Sequence, residues 1–325
     1  MVRSVEAVSI QKFDMDSTSI RAIQATNENE LVFAGSRGDI GFTDDGGKNW
    51  SFDYIKYQDT IAPHFRSIAK TSSSIFALSI ANPALLYKIS GGNKEIVYKE
   101  EHEKVFYDAM TFIDDNTGIA IGDPMGGCTS IIMTRDGGNT WNKIDCSKLP
   151  EVKEGEASFA ASNTNIAFYK DNIWVVTGGT RARVLKSSDR GNSWEIVETP
   201  MVQGDGPQGI YSVDFYDENI GIIMGGSFSS PDENKANKAI TKDGGKTWTL
   251  VADGESPNYK SCVQYIPGTK GKEVIAAGKT GVSFSNDGGV TWTDISKDGY
   301  YAIQFVDNHT AWLSGSGKIG KLVLK

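Results

Sequence analysis

Short apolar runs that stop at a glycine or another small residue recur along the chain. They are Leu31–Gly35, Ile75–Ser79, Gly118–Gly122, Trp174–Gly178, Gly221–Gly225, Val274–Gly278 and Ala311–Gly315. Further apolar segments precede them, such as Ser212–Tyr216 and Ala302–Val306. Inside these segments apolar and polar residues alternate, as in Val213-Asp214-Phe215. Successive side chains on a strand point to opposite faces, so period two marks a strand where 3.6 would mark a helix. The pattern predicts many short strands and no long helical stretch. Its longest apolar runs, such as Ile220–Met224, fall far short of the ~20 residues that span a membrane as a helix.

A second pattern sets the period. Five segments read Ser/Thr-x-Asp-x-Gly-x-polar-Trp: Thr43–Trp50, Thr134–Trp141, Ser187–Trp194, Thr241–Trp248 and Ser285–Trp292. Their aspartates are Asp45, Asp136, Asp189, Asp243 and Asp287, so the steps are 91, 53, 54 and 44 residues. The first step is nearly double the others. A degenerate copy, Ser90-Gly91-Gly92-Asn93, lies between. Seven apolar runs in 325 residues give about 46 residues per copy. A period of 40–50 with several short strands per unit is that of a propeller blade. The expected fold is therefore all-β: one seven-bladed β-propeller of four-stranded blades spanning 1–325. The last copy ends a strand short, and Val5–Phe13 is expected to complete blade 7 and close the ring. Closure removes the open strand edges that template aggregation.

The repeated box reads as a structural device. Gly accepts positive φ in a tight turn, and the Asp and Ser/Thr side chains can bond to the turn's own backbone. Trp50, Trp141, Trp194, Trp248 and Trp292 can then bury area between blades. A residue present in every copy serves the turn, whereas a catalytic group is needed once.

Function is expected where the copies differ. The long connections, among them Cys146–Glu156, Glu198–Gln208 and Ser227–Lys238, all belong to one face of the disc. Loops on a rigid scaffold usually carry the work. The entry positions of the innermost strands there are Arg21, Arg66, Asp108, Thr164, Tyr211, Lys260 and Tyr301. Asp123, Glu156, Arg181 and Arg183 lie close by in sequence. Cations beside aromatics suit an anionic or aromatic ligand. A rim whose charges pair with one another is the competing expectation.

Composition narrows the classes further. The net charge is −8, which argues against nucleic acid as a general partner. Three cysteines at unrelated spacings and three histidines support neither a metal site nor a disulfide framework. No cofactor motif is present: no GxGxxG follows a strand and opens a helix. The N-terminus, Met1-Val2-Arg3-Ser4, carries no signal-peptide core. An extracytoplasmic protein whose leader was removed and a cytoplasmic one are both compatible with that. A monomer is expected.

The boxes resemble the Asp-box, or BNR, repeats of sialidases and sortilin-type receptors. The chain as a whole is similar to the photosystem II stability/assembly factor-like propellers and their bacterial relatives. Gly122-Asp123-Pro124, Gly155-Glu156-Ala157-Ser158-Phe159-Ala160-Ala161-Ser162-Asn163-Thr164, Gly178–Val184 and Gly209–Phe215 carry that resemblance. It implies an exported scaffold or binding module. The expected function is a non-enzymatic propeller that holds a protein or other macromolecule at its long-loop face. The alternative is a glycan-active hydrolase at the same mouth, for which Glu156, Asp108 and Tyr211 are the catalytic candidates. Carboxylates at one of two set separations would be needed for it. An oxidoreductase is the remotest reading.

Overall fold

The structure, a computed structural model, describes residues 8–325. Its strands form six sheets around an axis. Sheet 1 joins Ala302–Phe305, Thr310–Leu324, Val8–Ala25, Leu31–Gly35, Asp39–Thr43 and Ser51–Tyr54. Sheet 2 holds Phe65–Lys70, Ile75–Ser79, Ala84–Ser90 and Asn93–Glu100, and sheet 3 holds Tyr107–Phe112, Gly118–Met125, Cys128–Thr134 and Asn142–Lys143. Sheet 4 contains Ile166–Tyr169, Asn172–Val176, Arg183–Ser187 and Glu195–Glu198. Sheet 5 has six strands, Glu156–Ala157, Gly178–Gly179, Gln208–Phe215, Gly221–Ser227, Lys238–Thr241 and Thr249–Leu250. Sheet 6 comprises Cys262–Tyr265, Val274–Gly278, Gly281–Ser285 and Thr293–Ser296.

Counting each hydrogen-bonded sheet as a blade, the described residues form a six-bladed propeller, which corrects the expected seven. The reason lies in one strand. Val8–Asp14 pairs with Lys318–Leu324, and the same strand, past a register shift, pairs Ile20–Ala25 with Leu31–Gly35. The first and seventh sequence repeats therefore share sheet 1 rather than standing apart. The turn between the two halves is tight, with φ of 32° at Asp16 and 59° at Ser17. Strand counting by period could not see a strand that serves two repeats. Of the expected closing strand, residues 5–7 lie outside the described residues.

The core is a series of clusters between neighbouring sheets, not one central mass. Between sheets 2 and 3 it contains Phe76, Leu86, Tyr107, Phe112, Ile132 and Trp141. Between sheets 4 and 5, Trp174 stacks on Phe215 with ring centroids 3.5 Å apart. The sheets are also pinned edge to edge near the axis. Asp214 Oδ2 accepts the Tyr265 N–H at 2.6 Å between sheets 5 and 6 and Gln264 Oε1 the Phe305 N–H at 2.9 Å between sheets 6 and 1, and within sheet 1 Gln304 Oε1 accepts the Ala25 N–H at 2.8 Å. These three inner strands thus each supply an acceptor for a backbone donor of the next inner strand.

All five boxes share the Ser/Thr–Asp and Ser/Thr–Gly bonds of one turn, and the Trp Nε1–Gly O bond forms in the first, third and fifth. In the third, Ser187 Oγ donates to Asp189 Oδ1 at 2.8 Å and accepts the Gly191 N–H at 2.8 Å. Asp189 Oδ1 also accepts the Ser193 N–H at 2.9 Å, and Trp194 Nε1 donates to Gly191 O at 3.2 Å. The Ser193 hydroxyl and backbone N–H hold the Asp189 carboxyl down at about 2. Every oxygen of the carboxylate is spent on its own turn. Asp189→Ala is expected to lower unfolding stability by about 1–2 kcal/mol, the worth of hydrogen bonds to a charged acceptor. Urea unfolding measures it, and a change below about 0.3 kcal/mol would contradict the structural role.

Candidate functional site

Between Glu156–Ala157 of sheet 5 and Ile166–Tyr169 of sheet 4 the chain turns into the channel. Ser158 N–H donates to Asp123 Oδ1 at 3.0 Å. Ala160 O accepts from Arg66 Nη1 at 3.3 Å, and Ala161 O from Arg21 Nη1 at 3.2 Å. Ser162 Oγ donates to Ser261 O at 2.6 Å. Asn163 Nδ2 donates to Ile68 O and its Oδ1 accepts the Met110 N–H, both at 2.8 Å. Thr164 Oγ1 shares a 2.7 Å hydrogen bond with Ser212 Oγ. Eight residues thus reach the inner edges of sheets 1, 2, 3, 5 and 6 and plug the axis. Small side chains allow this approach. Asn163 sits at φ 63°, a left-handed conformation that Asn tolerates better than most residues.

Above the plug lies a cavity of about 440 Å³. Arg21, Arg66 and Asp123 face it together with Phe106, Phe159, Tyr211, Phe228 and Tyr259. Phe159, carried by the plug, stacks on Tyr211 at 4.2 Å, and Tyr259 meets Tyr211 edge-on at 4.9 Å. The Arg21 guanidinium lies 4.0 Å over the Tyr301 ring and that of Arg66 6.0 Å from Phe106. Lys279 Nζ sits 3.7 Å over Phe228 on the far wall. The recess is lined by guanidiniums and aromatic rings together.

Burial, and then the charge of Arg21, lower Arg66 to about 10, so it remains cationic at neutral pH. His64 accepts from Arg66 Nε at 3.4 Å, and burial followed by the Arg66 charge brings it down to about 4. Asp123 is pushed up to about 6 by burial, against the Ser158 N–H. Asp108 lies wholly buried behind them. Burial first and Asp123 second push its carboxyl well up, while Arg66 pulls the other way. Neither Asp108 oxygen has a hydrogen bond of good geometry.

The other expected residues are elsewhere. Glu156 is fully enclosed: its oxygens take Arg183 Nε at 3.1 Å, Arg183 Nη2, the Thr177 hydroxyl at 2.7 Å and the Lys153 N–H at 3.0 Å. Glu156 and Arg183 form a buried ion pair, not a face of the mouth. Lys260 is 1% exposed and donates to Thr280 Oγ1 at 2.9 Å. Thr164 is in the plug below the cavity. Arg181 is exposed and does not line the cavity. The Tyr211 hydroxyl donates to Pro207 O at 2.7 Å.

Sequence reasoning missed the plug and three of the wall aromatics, Phe106, Phe228 and Tyr259. The available signal was Ala157–Asn165, a connection with no charged residue. It also missed a disulfide. Cys128 and Cys146 are joined, with Cα atoms 5.5 Å apart, although their spacing gave no support for a disulfide framework. The bond ties the loop after Asp123 to the crossover that leads into the plug. Among the described residues no group of three or more metal-binding side chains is assembled, and no helix is long and apolar enough to cross a membrane.

Three buried carboxyls make stability depend on pH. Asp123 and Asp214 are each pushed up to about 6 by burial, and burial also pushes Asp108 well up. A raised carboxyl favours the folded state most below its unfolded value near 3.8, and that gain fades as pH rises through about 6. His64, held at about 4, opposes it by losing stability as pH falls below 6.5. Asp214→Asn stays neutral at every pH and keeps an oxygen for Tyr265. Relative to wild type, it should lose about 1 kcal/mol of the gain between pH 7 and 5, channel water screening part of the shift. Parallel melting curves at both pH values would contradict this.

The fold and the mouth define a class first: a β-propeller with a plugged channel and one open recess of mixed cationic and aromatic character. The family model of photosynthesis system II assembly factor YCF48 matches residues 95–240, from the last strand of sheet 2 into sheet 5. That stretch holds the plug, Asp108, Asp123 and Tyr211, but not Arg21 or Arg66. No curated protein matches the chain in sequence. Among solved structures, YCF48 bound to D1 peptide is similar, with 14% identity over 97% of both chains and a TM-score of 0.69. YCF48 from Cyanidioschyzon merolae shows 14% identity over 97% of this chain and 98% of that one, TM-score 0.66. Virginiamycin B lyase from Staphylococcus aureus, solved with quinupristin, shows 13% identity over 98% and 100%, TM-score 0.66. Likeness at these identities is likeness of fold.

Proposed function

We propose that the chain is a YCF48-like propeller and a non-enzymatic binding module that captures an extended segment of a protein partner at the plugged mouth. One observation carries the reading. Two guanidiniums, each anchored to the plug by one hydrogen bond, face the same recess as a stacked aromatic wall. Guanidinium donors left over match a carboxylate, and the ring faces match an apolar or aromatic side chain beside it. The peptide-bound YCF48 structure has the same fold and supports a protein segment as the ligand class. The hydrolase alternative is weaker, since two of its three candidates are engaged elsewhere: Glu156 by Arg183 and the Tyr211 hydroxyl by Pro207 O. A disulfide favours an oxidising, extracytoplasmic compartment.

An array of acidic and neutral twelve-residue peptides tests this. Arg66→Gln, and separately Arg21→Gln, should weaken binding of the best acidic peptide about tenfold or more, as loss of a charged contact does. Arg181→Gln should leave it unchanged. Equal binding by all three variants, with melting temperatures preserved, overturns the proposal.

A further inference from the structure

We infer that anion capture at this mouth is proton-gated, with the Asp123 carboxylate acting as an internal competitor for the Arg21 and Arg66 guanidiniums. The inference rests on the proposed mouth as the binding site and adds its regulation. Asp123 faces the same cavity as Arg21 and Arg66, so an ionised Asp123 presents to those guanidiniums the charge a ligand would bring. It is tethered by the Ser158 N–H at 3.0 Å and by its own N–H to Phe106 O at 2.8 Å, so it cannot swing away into solvent. Asp108 backs it on the neighbouring strand and feels the charges of both Asp123 and Arg66.

Among the described residues Asp123 is the one carboxylate that lines the recess. Arg66 on sheet 2, lowered to about 10, stays cationic beside the Arg21 charge of sheet 1, and His64 beside Arg66, held at about 4, stays neutral. On sheet 3, Asp108 is wholly buried behind the recess, and burial first and Asp123 second push its carboxyl well above the usual carboxylate range. Glu156 is matched by Arg183, and Lys279 lies across the cavity over Phe228. Tyr211 and Tyr259 are raised by burial and stay neutral, and Tyr301 lies under Arg21. Burial places the Asp123 transition at about 6. Below it the cleft gains one unit of positive charge, and opposed charges at this depth act at an effective dielectric far below that of water.

Benzoate is a suitable probe, since it joins a carboxylate to one aromatic ring and stays ionised from pH 5.5 to 7.5. Its binding is followed by NMR titration of the full chain. Wild type should bind about tenfold tighter at pH 5.5 than at 7.5. Asp123→Asn should bind at both pH values with the affinity wild type shows at 5.5. Asp214→Asn, a buried carboxyl at the other end of the channel, should keep the wild-type difference. Equal wild-type affinity at both pH values, no benzoate binding at either, or an unchanged difference in Asp123→Asn overturns the inference. The peptide array reports separately on the mouth as a protein-binding site.

Discussion

Glu156→Ala is expected to lower the unfolding free energy by about 3–5 kcal/mol, the cost of taking from a buried guanidinium its closest counter-charge and leaving it only the exposed Glu198, 3.6 Å from Nη1. The Glu156 side chain is 0% exposed and that of Arg183 5%, so water cannot take over the missing partner. Thr177 and the Lys153 N–H lose their acceptor as well. Glu156→Gln retains acceptor oxygen and should cost less than the alanine. Adding Arg183→Met to Glu156→Ala should recover a large part of the loss, because the orphaned charge is then gone. Urea titration of all three variants measures these differences. A loss below about 1 kcal/mol for Glu156→Ala would show that the pair is not the brace described. Peptide capture measured well below the melting transition should survive Glu156→Gln, since its carboxyl does not face the recess.

The second large effect concerns the plug. Asn163→Ala is expected to cost about 2–4 kcal/mol, because it strands the buried Met110 N–H and takes from the Ile68 carbonyl the shorter of its two side-chain donors, leaving Gln24 Nε2. It also puts alanine at φ 63°, a conformation that a Cβ disfavours. Asn163→Gly removes the two hydrogen bonds but relieves the backbone, so the difference between the variants isolates the strain. Hydrogen exchange at Met110 should speed up in both. Unchanged protection there would mean that the plug is not held by this side chain. Loosening the plug also frees the carbonyls that anchor Arg21 and Arg66, so peptide binding should weaken with stability, unlike in the Glu156 variants.

The residues that form the mouth were partly legible. Arg21, Arg66, Asp123 and Tyr211 differ from copy to copy and lie on the long-loop side, and the structure brings them to one recess. Glu156 and Arg183 carry the same kind of polarity, yet they meet each other and leave the recess. Sequence position says which face a charge is near. It does not say whether its partner is another residue or a ligand. Lys260 shows the same limit, since its strand entry matches the others while its ammonium is buried against Thr280.

What the sequence determined by itself is the repeat: the period-two strands, the Asp-Gly turns and hence an all-β propeller. These are local consequences of backbone sterics and of side chains bonding to their own turn, so each copy declares itself. Tertiary structure alone decided the number of sheets, the disulfide, the pairing of Glu156 with Arg183 and the plug. Each depends on groups distant in sequence arriving at one place. Val8–Ala25 fuses the first and last repeats only because both ends of the chain meet there. Ala157–Asn165 becomes the floor of a binding recess only because five sheets leave it donors and acceptors at the axis.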